Sequence, residues 1–156
     1  MQLEEEHLQQ ITIDVCQSML GMELNPISPD IDTTNQLVAA VEIHGTRHSI
    51  VEIFAHINLM PSLAEVMFAS NPGSLSEAEI RDAFCEIANM IGGNVKGWYG
   101  EESNLSRPSF DRADDWRNHL PQGSLYTTFE CCGYPLSVVL RDLICHSEST
   151  KQIAVA

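Results

Sequence analysis

The chain has 156 residues, 44% hydrophobic and 19% charged, with a formal net charge of −14 and only eight Lys and Arg. That size predicts one domain able to bury a proper core. So few cations exclude nucleic acid or an anionic membrane surface as partner, because neither would be neutralised. The opening Met-Gln-Leu-Glu-Glu-Glu has neither the basic nor the apolar segment of a signal peptide. No run reaches the roughly 18 apolar residues that a membrane span requires, so the chain is expected to be cytoplasmic, without membrane insertion.

Residues 3–22 place Leu8, Ile11, Val15, Met19 and Met22 at helical spacing behind the acidic turn Glu4, Glu5 and Glu6, which suits the helix dipole. Gly21 weakens the end of this helix. Asn25-Pro26 and Ser28-Pro29-Asp30 then form a linker incompatible with helix or central strand. From Gln36 the period becomes two: Leu37, Ala39, Val41 and Ile43 alternate with Val38, Ala40, Glu42 and His44. After Gly45-Thr46, a second alternating run passes through Ser49, Val51, Ile53 and Ala55. The pair reads as a β-hairpin with one buried and one mixed face. Pro61 opens a short helix, about 61–69, with Leu63, Val66 and Met67 inward, and Asn71-Pro72-Gly73 ends it.

The long helix that follows is the most informative stretch. Ser76 and Glu79 have the spacing of a capping box. Ile80, Phe84, Ile87 and Ile91 fall on one face. Asp82, Glu86 and Asn89 recur on another, with no Lys among them. Gly92-Gly93 comes next, inside a continuing apolar pattern, at a cost of about 1 kcal/mol per Gly relative to Ala. Two adjacent glycines there imply that another backbone or a partner comes close, or that the helix ends early. The stripe itself reads as a solvated face, a metal site or a catalytic surface. Two carboxylates without a His one turn on make a poor metal site. A carboxamide on a rigid surface suits the positioning of a water molecule, since it offers one acceptor and two donors.

From Trp98 to about residue 118 the chain is polar and broken by Pro108. It reads as a loop, with a short helical turn near residues 112–118. Leu125, Thr127, Phe129 and Cys131 then alternate, Gly133-Tyr134 turns the chain, and Leu136, Val138 and Leu140 alternate in return, giving a second hairpin. Residues 1–146 are expected to form the domain, with a frayed tail over 147–156. The plan is α+β: a mostly antiparallel sheet built from two hairpins, with the long helix and the other helices on one face. The five cysteines, Cys16, Cys85, Cys131, Cys132 and Cys145, read as buried reduced thiols, and adjacent Cys131 and Cys132 point to opposite faces of a strand. Trp98 and Trp116 read as core or interface aromatics. Of the six histidines, His44 and His48 flank the first turn and can approach across the hairpin, but two imidazoles alone do not make a site.

Asp82-x3-Glu86-x2-Asn89 followed by Met-Ile-Gly-Gly-Asn-Val-Lys-Gly resembles the active helix of the CheC/CheX/FliY family of chemotaxis phosphatases. The likeness covers about residues 3–143 in element order and is sharp over 80–97. It implies hydrolysis of the aspartyl phosphate of a phosphorylated CheY-like response regulator, whose own Mg²⁺ carries part of the developing charge. Carried over, Asn89 positions the attacking water, Glu86 pairs with the regulator's lysine and Asp82 supports the contact; beside them Gly93, from the glycine pair itself, is expected to be a partner-binding position. No cofactor or metal of this chain is implied. The first helix offers only Glu6-x-x-Gln9, so a single site, as in CheX, is expected, together with a homodimer paired through sheet edges. Residues 104–122 depart from the family: they are rich in Arg, Asp and Asn where an apolar, Pro-containing strand is expected. Glu101-Glu102-Ser103-Asn104 also satisfies Glu-x-x-Asn, but on no helical face. The alternative reading is a non-catalytic binding or scaffold module of the same fold in a two-component or flagellar-switch complex.

Overall fold

The computed structural model describes residues 2–28, 31–100, 102–113 and 115–143; the expected tail over 147–156, Cys145 and His146 lie outside them. In chain order the elements are α1 (Glu5–Leu20), β1 (Asn25–Pro26), β2 (Gln36–His44), β3 (His48–His56), α2 (Met60–Met67), α3 (Glu77–Tyr99), β4 (Asn104–Leu105), β5 (Ser109–Arg112), a 3-10 helix (Trp116–His119), β6 (Leu125–Cys131) and β7 (Tyr134–Asp142). The strands form a seven-stranded sheet in the order β1-β6-β7-β3-β2-β4, with β5 also on β2, and every pairing is antiparallel. Both expected hairpins are present. They join side by side through β3 and β7, from Ser49 opposite Asp142 to Ala55 opposite Leu136.

One sheet face carries Ala39, Val41, Ile43, Val51, Ile53, Phe129, Leu136 and Val138 into the main core beneath the helices. The other carries a smaller cluster in which Trp116 stacks on Phe54 at 4.3 Å between ring centroids, with Val139 beside them. Trp98 is half-buried and lies 4.2 Å from the His7 ring. Both tryptophans are therefore packing residues.

Four details differ from the sequence expectation. In α1 the inward positions are Leu8, Thr12, Val15, Cys16 and Leu20, whereas Met19 is 56% exposed. Thr12 is admitted to the core because its hydroxyl donates to the Leu8 carbonyl at 2.8 Å, so no donor is orphaned. In α2, Met60, Leu63 and Ala64 face inward and Val66 is 45% exposed. The segment after α3 is not a loop: β4 and β5 both pair with β2, and Pro108 falls between them, where no ladder hydrogen bond is needed. Polar composition hid these strands because an edge strand buries little. Finally, the second hairpin turns at Cys132-Gly133, with φ of +51° and +83°, so Cys132 is exposed instead of buried. Cys16, Cys85, Cys131 and Cys132 are all free thiols.

Candidate functional site

Helix α3 is fixed at both ends. Ser76 Oγ accepts from the Glu79 amide, and Glu79 Oε1 accepts from the Ser76 amide, each at 3.2 Å, which completes the capping box. Gly100, at φ +65°, closes the other end. Between them Ala83, Phe84, Ile87, Ala88, Ile91, Gly92 and Val95 are buried, and the helix packs on β2, α1 and α2.

The helix runs straight through Gly92-Gly93, and the two glycines do different things. A Cβ on Gly92 would run into Val41 Cγ2, so this residue is where α3 lies directly on β2. A Cβ on Gly93 would meet only Leu105 Cδ1, at an ordinary 3.9 Å. Packing therefore accounts for Gly92 and not for Gly93.

Asp82 and Glu86 are exposed, while Asn89 and Gly93 are half-buried. Their spacings of four, three and four residues keep them on one stripe turned away from the core. Among the described residues, the side chains of Asp82, Glu86 and Asn89 make no hydrogen bond or ion pair. Arg81, the neighbouring cation, lies instead over the Phe110 ring of β5, 4.9 Å from its centroid. Cys85 also borders the stripe. Partial burial and then the Asp82 charge push its thiol up, so it stays protonated and weakly nucleophilic at neutral pH. The result is a rigid acidic ridge ending in a carboxamide and a side-chain-free position, with no nucleophile of its own. Such a surface can pair with a partner's cation and hold a water by the amide, which is all that hydrolysis of an already activated acyl phosphate needs from outside.

The competing Glu-x-x-Asn has no such face, since Asn104 lies in β4 opposite His44. On α1, Glu6 is exposed and Gln9 half-buried, without the rest of the pattern.

The family model for chemotaxis phosphatase CheX matches residues 37–131, more than half of the chain. The chain belongs to the CheX family. Among solved structures, the CheX of the Borrelia burgdorferi CheX–CheY–BeF3–Mg²⁺ complex is similar, with a TM-score of 0.69 and 16% identity over 88% of this chain and 96% of its own. The chemotaxis protein CheX from Desulfovibrio desulfuricans gives a TM-score of 0.65 and 17% identity, covering 86% of this chain and 95% of that one. A chemotactic CheC-like protein from Shewanella oneidensis gives 0.62 and 22%, covering 85% and 93%. At these identities the likeness is one of fold. No curated protein matches the sequence.

One group escaped the sequence reading. Glu42 lies between His44 and His48, with its Oε2 at 3.1 and 3.5 Å from their Nε2 atoms. Alternation along β2 puts Glu42 and His44 on one face, but only the hairpin register brings His48 opposite them.

Proposed function

We propose that this CheX-family chain hydrolyses the aspartyl phosphate of a phosphorylated CheY-like response regulator. The observation that carries the reading is the unpaired stripe Asp82, Glu86 and Asn89 on a helix locked at both ends. Asn89 holds a water in line with phosphorus. As the water oxygen bonds to phosphorus, the bond to the aspartyl oxygen breaks, the regulator recovers its carboxylate, and the water's protons leave with inorganic phosphate and solvent. Glu86 pairs with the regulator's active-site lysine, Asp82 supports that contact, and Gly93 leaves room for the partner backbone. The regulator supplies the Mg²⁺. The complex of the Borrelia burgdorferi relative with CheY and Mg²⁺ supports a partner of this kind. The chain acts in the cytoplasm as a homodimer joined through sheet edges; a monomeric mass in sedimentation would overturn that assembly.

The test is the dephosphorylation rate of a panel of phosphorylated receiver domains with the chain at about a tenth of their concentration. Full discharge of one receiver, beyond stoichiometry, supports the enzyme. A merely stoichiometric effect on every receiver would replace it with the scaffold reading, which the exposed acidic ridge would also serve.

A further inference from the structure

We propose that Glu42, His44 and His48 form a binding site for a zinc-type divalent metal ion at the tip of the β2–β3 hairpin. The site is independent of the α3 stripe. His44 stands directly opposite His48 in the hairpin register, and Glu42 precedes His44 by two residues on the same strand, so all three share one face of the sheet. The two imidazole rings lie side by side, 4.4 Å between centroids. One donor atom from each of the three residues falls within 4.8 Å of the others.

The separations suit a metal. Bonds of about 2.0–2.1 Å at tetrahedral angles put neighbouring donor atoms about 3.3 Å apart. The Glu42 oxygen is 3.1 Å from His44 Nε2 and 3.5 Å from His48 Nε2, on either side of that value. The His48 Nε2 atom is also shut off from solvent without a hydrogen bond, although its side chain is 41% exposed. A ring nitrogen in that state is costly unless something satisfies it. Two neutral imidazoles and one carboxylate are a donor set that zinc accepts, with the fourth position left to water.

Access and charge agree with this assignment. The His44 side chain is 48% exposed and borders an open hollow with Gly45, Lys96, Glu102 and Asn104. Among the described residues, Lys96 is the one cation on that rim, set against Glu102, Glu42 and a chain of net charge −14. An ion bound here would tie β2 to β3 at the end of the hairpin, where the ladder stops at the His44–His48 pair.

Calorimetric titration of the whole chain with Zn²⁺ alone tests the assignment. One ion per chain is expected, with affinity at least about ten-fold weaker in His44→Ala, His48→Ala and Glu42→Gln, since loss of even an indirect supporting group costs that much at metal sites. His56→Ala and His119→Ala should bind as wild type. Titration of the unmutated chain followed by the His44 and His48 ring resonances needs no variant to fold. Zinc-dependent shifts confined to those two rings support the site. Absence of Zn²⁺ uptake, shifts at other histidines, or equal affinity in the three variants would overturn it and leave Glu42 only as a carboxylate lying beside the two imidazoles.

Discussion

At the scale of single residues, the proposed activity depends on what Asn89 and Glu86 leave unsatisfied. Neither side chain has a partner in the described fold, so truncating either removes nothing that holds the chain together. Asn89→Ala should lower turnover by about 10²-fold or more, the scale of a lost positioning group, with the melting temperature unchanged. Glu86→Ala should act on capture, raising the half-saturating regulator concentration about ten-fold, equivalent to about 1.4 kcal/mol of one charge pair. Steady-state kinetics on the responsive receiver separates the two. The buried thiols give a different readout. Burial pushes Cys16 up from 9.0 to about 11, and burial followed by the neighbouring Cys132 pushes Cys131 to about 12. Above pH 9 the unfolded chain loses these protons while the folded chain keeps them, so the native state binds more protons and stability falls as pH rises. Denaturant midpoints should therefore drop between pH 9 and 11, and Cys16→Ala should shallow that slope while lowering stability throughout through the cavity it leaves.

The elements make a sharper test of α3, because two adjacent glycines have opposite expected effects. Ala at position 92 meets Val41, and overpacking of about 1–3 kcal/mol outweighs the helix preference for Ala. Ala at position 93 has room, so Gly93→Ala should raise stability by up to about 1 kcal/mol. If Gly93 serves the partner, that more stable variant loses turnover. Equal or higher turnover in Gly93→Ala would remove Gly93 from the docking surface. Val41→Ala removes the obstructing methyl, so the Gly92→Ala and Val41→Ala double variant should be more stable than the sum of the single losses. Chemical denaturation of the four proteins measures that coupling.

Over the whole molecule, the sheet separates two tasks. Its helix-covered face holds the main core and presents α3 outward, while its other face holds Trp116 on Phe54 and the hairpin-tip cluster. Trp116 is 5% exposed, so Trp116→Ala should cost about 3 kcal/mol. Because it lies across the sheet from α3, turnover at a temperature where the variant is still folded should match wild type. Loss of turnover without unfolding would mean that the two faces are coupled.

How much of this was legible depends on how local the responsible interaction is. Capping, alternation and helical spacing are set by residues within a turn or a strand, and from them α3, both hairpins and the placement of Asp82, Glu86 and Asn89 on one stripe could be read directly. The resemblance that named the family rested on that same local run. The strands β4 and β5 could not be read, because they pair only with the edge of β2, and little in their own polar sequence records a partner some 60 or more residues away. The inward turn of Thr12 in place of Met19 depended on a hydroxyl finding the Leu8 carbonyl. The distinction between Gly92 and Gly93 needed Val41 and Leu105, from two different strands. Glu42 joined His44 and His48 only once the hairpin register was set. Local chemistry wrote the elements and the polar stripe of α3 into the chain; long-range pairing and side-chain packing, which no short window contains, decided the sheet edges, the packing of each glycine and the second polar cluster.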